Sequence, residues 1–446
     1  MKKRSVYVVT LGCSKNEVDS ELMLGILDKD KFIIAEELED ANIIIVNTCG
    51  FIEAAKEESI ETIWEMTKYK HEGNCEYLLL AGCLAQRYSN ELIEEIEDID
   101  AIIGTGNIKE LNDTLKELDL NKNKIVKIDN VNDFYIENVE RINFNTTAYV
   151  RISEGCDNHC TYCIIPKLRG KHRSRRMDDI INEVNYLVDN GIKEVILIAQ
   201  NTSDYGIDLY GEYSLYKLLN RLNKISELKW IRILYLYPDN FSDDLIKSIR
   251  DNDKVVKYVD IPLQHISDDV LKRMNRRTSK QNVEELIRKL RNEIPEIVIR
   301  TTFIVGFPGE TNDNFNELYD FVKNIRFDRL GVFTYSQEED TSAYSMPNQI
   351  DESIKEERRD RLMELQKDIS EDLMMSKLGN VYEVIIEEYA GDNTYIGRTY
   401  MDSPEIDGVV YINTNEKLEI DEFVEVEITE YLEYDLIGVL VNESSK

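Results

Sequence analysis

Between Arg151 and Arg176 the chain reads RISEGCDNHCTYCIIPKLRGKHRSRR, and within it Cys156, Cys160 and Cys163 stand as CxxxCxxC, with Tyr162 just before the last thiol. The whole chain has seven cysteines in 446 residues, so a triple at this spacing asks for a shared ligand. Iron-sulfur clusters are normally closed by four cysteines. Three in one loop leave one iron with an open position, the property that catalytic metals need. The same thiols with His159 or His172 as a fourth ligand would instead make a zinc site. A disulfide fits less well. MKKRSVYVVT runs straight into a strand pattern and is too short for a signal segment, no apolar run reaches membrane length, and a cytoplasmic chain keeps its thiols reduced.

The open three-cysteine loop resembles that of the radical S-adenosylmethionine superfamily. The resemblance implies that the open iron binds the amino and carboxylate groups of S-adenosylmethionine. It further implies one-electron cleavage of the sulfonium to a 5'-deoxyadenosyl radical, which takes hydrogen from unactivated carbon.

Residues 1–125 alternate short apolar runs with helical patterns, the signature of an open parallel α/β domain. Val6 to Leu11, Ile43 to Val46 and Tyr77 to Ala81 read as strands. Cys13, Cys49 and Cys83 each follow a strand directly, in LGCSKN, NTCGF and AGCLA, which places all three at the carboxyl edge where such sheets bind ligands. Scattered cysteines in a reduced protein are most often small buried residues. Their common location instead reads as a second three-cysteine set, with Gly12, Gly50 and Gly82 letting backbone approach an inorganic core. Cys75 precedes its strand and reads as a bystander. Thr105 and Gly106 could shape the same mouth or form a plain turn.

The polar stretch NKNKIVKIDNVND begins at Asn121 and runs into residues 126–144, which read as a linker. From 145 to 375 six strand patterns, beginning at Ala148, Glu194, Trp230, Tyr258, Val298 and Leu330, alternate with helices and predict an incomplete (β/α)6 barrel. Barrel chemistry sits at the carboxyl ends of strands. That rim carries the cysteine loop, then Gln200 and Asn201, Tyr237 and Pro238, Gln264 and His265, and finally GFPGE from Gly306 to Glu310. The glycine loop is either a tight turn or a backbone contact for adenine or ribose. Tyr162, Gln200, Gly306 and Gly309 are the candidate cofactor contacts. The basic run Lys167, Arg169, Lys171, Arg173, Arg175 and Arg176 reads as a solvated loop or as a holder of cofactor or substrate carboxylates. His71, His159 and His172 have no patterned partner, so hydrolytic triads find no support.

A helix from Glu352 to Leu378, with Leu362, Leu365, Ile369 and Leu373 on one face, leads out of the barrel. Residues 376–446 then alternate with period two, clearest in Phe423 to Glu430, and predict a small antiparallel β-barrel. From Asn380 onward there are 17 acidic and 3 basic residues. The whole chain carries a net charge of -33. Such a surface repels phosphates and attracts basic proteins. An acidic proteome is the plain alternative.

Taken together, two three-cysteine sets, an open barrel and a terminal β module similar to a TRAM domain resemble the methylthiotransferases. LGCSKNEVDSE, NTCGFIEAAKEES, RILYLYP, DIPLQHIS, RTTFIVGFPGE, FTYSQEED and SPEIDGVVYI look like the branch that modifies an aspartate of small-subunit ribosomal protein twelve. The other branch modifies a tRNA adenosine. Ser14 stands where that protein-modifying branch has proline, and Asp340 where it has glycine. The resemblance implies two 4Fe-4S clusters, on Cys156, Cys160 and Cys163 and on Cys13, Cys49 and Cys83. It also implies S-adenosylmethionine as radical source and methyl donor, an external electron donor, and a basic ribosomal protein as substrate without direct nucleic-acid or membrane binding. A non-catalytic iron-sulfur electron carrier is the alternative from a different class.

Overall fold

The computed structural model describes residues 3–121, 123–129, 131, 141–142 and 146–441. Most of the stretch read as a linker lies outside the described residues.

In the N-terminal domain, β1 (Arg4–Thr10), β2 (Phe32–Ile34), β3 (Ile43–Thr48), β4 (Tyr77–Ala81), β5 (Ala101–Ile103) and β6 (Ile125–Lys127) form one sheet in the order β2-β1-β3-β4-β5-β6. Every pairing is parallel. IIIVNT and YLLLA are apolar almost throughout and buried nearly throughout, as befits strands covered by helices on both faces. β6 falls at the start of the expected linker. Three residues with only one buried show no period to read, yet they complete the sheet edge. Because β1, β3 and β4 are neighbours, the residues that follow them lie side by side. Two helices bear on the site, α1 (Ser14–Ile26) after β1 and α2 (Glu53–Glu72) after β3.

The central domain begins with β7 (Thr147–Arg151), and a two-stranded antiparallel clasp, β8 (Ser153–Glu154) with β9 (Arg173–Ser174), brackets the cysteine loop. β10 (Glu194–Ile198), β11 (Trp230–Ile233), β12 (Tyr258–Asp260), β13 (Val298–Val305) and β14 (Arg329–Thr334) follow. They form two parallel three-stranded sheets, β11-β10-β7 and β12-β13-β14, joined by the bridge between Ile231 and Val255. The barrel is therefore open between β7 and β14. Alternate residues divide its two faces. Val195 and Leu197 join the outer core with the helices, whereas Ile196, Ile198, Trp230, Tyr258 and Val298 face inward.

The terminal module, reached by the helix Glu352–Met375, fills that concave side. β15 (Val381–Gly391), β16 (Thr394–Arg398), β17 (Val410–Asn413), β18 (Phe423–Tyr431) and β19 (Leu436–Leu440) close a barrel in the order β15-β16-β17-β19-β18. Closure uses one parallel pair, β17 with β19, where alternation alone predicted antiparallel strands throughout. Val384, Ile386, Val410, Ile412 and Val426 share one apolar cluster with the inward barrel residues and with Val18 and Leu22 of α1. Trp230 meets Phe423 edge to face at 4.8 Å. Within this contact Glu194 is fully buried and binds Arg232 at 2.8 Å and Arg398 of the module at 2.6 Å.

A second buried ion cluster fastens the N-terminal domain to the barrel. Asp19 of α1 receives Arg151 and Arg169, each at 2.6 Å, and Arg169 also donates to Asn16 Oδ1 at 2.8 Å. Burial pushes the Asp19 carboxyl up, but the two guanidinium groups outweigh it and hold the pKa below the ordinary aspartate value.

Candidate active site

The carboxyl edge of the N-terminal sheet faces the rim of the barrel across a cavity of about 560 Å³. Its wall includes Cys13, Cys49 and Cys83 from one domain and Cys156, Cys160 and Cys163 from the other. The structure thus brings together all six predicted cysteines and leaves Cys75 buried in the opposite part of the sheet core.

The local backbone explains how the N-terminal thiols converge. A Cβ at Gly12 would lie 2.6 Å from Cys49 Cβ and 2.8 Å from its sulfur, and Gly12 has φ +90°. At Gly50 a Cβ would lie 2.8 Å from the Leu84 backbone, beside Cys83. Only hydrogen fits between these loops. Gly12→Ala is accordingly expected to halve the iron bound after reconstitution, while the iron held by the barrel loop persists; iron analysis with electron paramagnetic resonance of the reduced protein reads this directly.

The barrel loop is stapled from several sides. The Cys156 amide donates to Gly170 O at 3.1 Å, the Thr161 amide to Met274 O at 3.0 Å, and the Ala343 amide to Thr161 O at 2.8 Å. Burial raises the thiol pKa of Cys156 to about 11 and that of Cys163 to about 12, and Cys49 likewise rises to about 11. Thiols so placed are costly to ionise without a cation, and an iron core supplies one. The residues present therefore fit iron-sulfur ligation. Among the described residues no three His, Cys, Asp or Glu side chains converge tightly enough for a single metal ion. His159 and His172 are absent from the cavity wall, and His172 Nε2 lies 3.1 Å from Ser174 Oγ.

Between the two sets lie residues that can hold a polar cofactor. Tyr162 and Gln200, both expected there, line the cavity. Gln200 donates to Glu154 at 2.6 Å, and the Tyr162 hydroxyl accepts from Arg276 at 3.3 Å. Gly306 and Gly309 do not line it. Their loop folds around the Glu310 carboxylate, which accepts the Gly306 and Phe307 amides at 2.7 and 3.2 Å and pairs with Arg358 of the long helix at 2.9 Å. A Cβ on Gly306 would meet Lys355 at 2.2 Å, so this glycine serves close packing against that helix. His265 is buried beside it, 3.7 Å from Glu310.

The basic run divides: Lys167, Lys171 and Arg176 are exposed, as in a solvated loop, whereas two of its arginines are buried, Arg169 at the cavity wall. Arg169 and Arg175 are buried on carboxylates of the chain itself, Asp19 and Glu183, at 2.6 and 2.5 Å. Thr105 donates to Leu168 O at 2.8 Å and so ties the domains together behind the cavity. Several lining residues escaped the sequence reading. Lys15 Nζ sits 2.9 Å from the Tyr235 ring centroid, and the Arg276 guanidinium lies 4.2 Å from that of Tyr237. Asp260 accepts from Arg300 at 3.0 Å and from the Tyr235 amide at 2.9 Å. A charge inside an apolar strand, as in YVDIP and VIRTTF, was the available signal. Tyr235 (φ 62°) and Gln264 (φ 70°) adopt left-handed backbone at this wall, where a rigid surround must hold them.

Family comparisons agree with this layout. The radical SAM superfamily matches residues 150–322, the TRAM domain matches 378–441, and the uncharacterized protein family UPF0004 matches 5–104. The ribosomal protein uS12 methylthiotransferase RimO of Acetivibrio thermocellus is 49% identical over 453 residues, covering 100% of both chains. The chain belongs to the RimO family. RimO proteins of Clostridioides difficile and of a Thermoanaerobacter species are each 50% identical, over 98% of this chain and 99% of theirs. Among solved structures, the radical S-adenosylmethionine methyltransferase TsrM of Kitasatospora setae superposes with a TM-score of 0.56 at 12% identity, covering 75% of this chain and 72% of that one. The cobalamin-dependent radical enzyme OxsB follows at 0.51 and 16%, covering 83% of this chain and 56% of that one. These two show the fold alone. The RimO-family chain is a radical SAM enzyme, with iron-sulfur and S-adenosylmethionine as its cofactors.

The two departures from the family pattern acquire reasons. Ser14 is the first residue of α1, a position that suits proline but does not require it, and its hydroxyl lies 3.4 Å from that of Tyr235. Asp340 has φ 64°, the left-handed conformation that favours glycine, and its carboxylate holds Lys167 at 3.0 Å.

Proposed function

We propose that the chain replaces a β-carbon hydrogen of an aspartate in ribosomal protein uS12 with a methylthio group. The observation that carries this reading is the meeting of two three-cysteine sets, from different domains, in one cavity. Cys156, Cys160 and Cys163 would hold one 4Fe-4S cluster, and Cys13, Cys49 and Cys83 a second. When bound, the first supplies the electron that cleaves S-adenosylmethionine to its radical, and the second presents the sulfur to be transferred. The abstracted hydrogen would leave on 5'-deoxyadenosine, the electron released as carbon bonds to sulfide would pass to the second cluster, a second S-adenosylmethionine would supply the methyl group and leave as S-adenosylhomocysteine, and an external donor in the cytoplasm would supply the electron for cleavage.

The chain's own residues bind, orient and exclude water. Tyr162, Gln200 and Arg276, which line the cavity, would orient the cofactor, while Gly306 and Gly309 would act from behind the wall. The exposed Phe51, Phe333 and Ile406 ring the mouth with apolar surface that a protein substrate would cover. A tRNA adenosine is the other acceptor this chemistry allows. The net charge of -33 and the uS12 names of the full-length relatives both weigh against it.

The test is an anaerobic assay of the reconstituted enzyme with S-adenosylmethionine and reductant, offering uS12 and a tRNA pool in parallel. Mass gain of one methylthio group on an aspartate is the expected result; gain on adenosine would overturn it.

A further inference from the structure

From the cavity mouth a second concavity, about 570 Å³, runs along α2 between the N-terminal domain and the loop after β14. The two spaces share the start of that helix: Ile52 and Ala55 line the cavity, and Glu53 and Lys56 line the groove. Its apolar lining is conspicuously uncovered, with Trp64 51%, Tyr344 43% and Ile60 39% exposed. Clustered exposed aromatic and aliphatic side chains mark interaction surfaces, and tryptophan and tyrosine are the usual anchors.

The charged lining is predominantly acidic. Glu53, Glu91, Glu95 and Glu339 face a single cation, Lys56, which is already held by Glu53 at 2.5 Å and Glu338 at 3.1 Å. Glu91 and Glu95 are exposed four residues apart on the helix Ser89–Glu95, an arrangement in which like charges repel. A cationic guest relieves that repulsion; a phosphate backbone would add to it.

We propose that this groove seats a lysine- or arginine-rich segment of the substrate protein, adjoining the modified residue, with an apolar side chain on Trp64 and cations on Glu91 and Glu95. The inference rests on the protein-substrate reading above and assigns the docking surface to the groove, not to the acidic terminal module.

The test uses the cluster-loaded full chain with uS12, reading Kd by calorimetry, KM and kcat by methylthio product, and cofactor cleavage without uS12. In E91K/E95K, Kd and KM are expected to rise at least about tenfold, with kcat and substrate-free cleavage unchanged. W64S is expected to move Kd and KM in the same direction. E425K/E430K, the same charge change on the terminal module, is expected to leave both within about twofold. Groove variants that bind like the wild type, or equal weakening in both charge variants, would overturn the groove. A wild type that neither binds nor modifies uS12 would overturn the protein-substrate reading, and the groove with it.

Discussion

In the Cys156→Ala variant, cleavage of S-adenosylmethionine is expected to fall below about 1% of the wild-type rate, a barrier increase of more than about 2.7 kcal/mol. In Cys13→Ala, cleavage is expected to persist while methylthio product disappears. The division follows from the fold. Cys156 sits in a loop clasped by β8 and β9 and stapled to Met274 and Ala343, all within the barrel. Cys13 lies beyond β1, at the head of α1, against the loops of β3 and β4. Each set is built by its own domain, so each should fail alone, with iron falling from about eight to about four atoms per chain in either variant. Iron content and 5'-deoxyadenosine yield, measured on the same preparations, check both halves. Equal loss of cleavage in the two variants would defeat the division of labour.

Glu194→Ala is expected to destabilise the chain by about 3–5 kcal/mol, because it strands two buried guanidinium groups. Arg232 and Arg398 lie at the contact of barrel and terminal module, and both lose a carboxylate partner at once. Asp372→Ala, which breaks the exposed pair with Arg326 at 2.8 Å, is expected to cost under about 1 kcal/mol. Denaturant midpoints of the two variants separate these cases. The pH dependence has a definite sign. Burial raises the Glu194 pKa, but Arg398 and Arg232 outweigh it and hold the group below the ordinary glutamate value. Its stabilisation is therefore complete above about pH 4.3, the unfolded value, and is lost as pH falls through the lower folded value. Wild-type stability should drop in that acid range more steeply than that of Glu194→Ala.

The chemistry of this chain was more legible in its sequence than its packing. Cysteine spacing in one loop, and cysteine position after three strands in the other domain, are local facts, and both sets reached the cavity wall. The six barrel strands were visible because continuous apolar runs such as EVILI admit few other structures. β6 was not, since IVK has too few residues to show a period. Gly306 was ambiguous for a related reason: a glycine loop looks the same whether backbone approaches a ligand or a helix, and its packing against Lys355 depends on a residue some fifty positions on. The buried role of Arg169 was hidden because its carboxylate partner, Asp19, lies 150 residues away in the chain.

The terminal module lies inside the barrel's concave side, and its strands are synthesised after those of the barrel. The six site cysteines and all the barrel strands leave the ribosome before β15 to β19 exist. Until those strands arrive, Ile196, Ile198, Trp230 and Tyr258 face water, and Arg300 lacks Asp407 at its side. A nascent chain thus presents its cysteines in a shell still open from beneath. In the finished chain the module covers that side, and the cysteines are reached from the mouth lined by Phe51, Phe333 and Ile406.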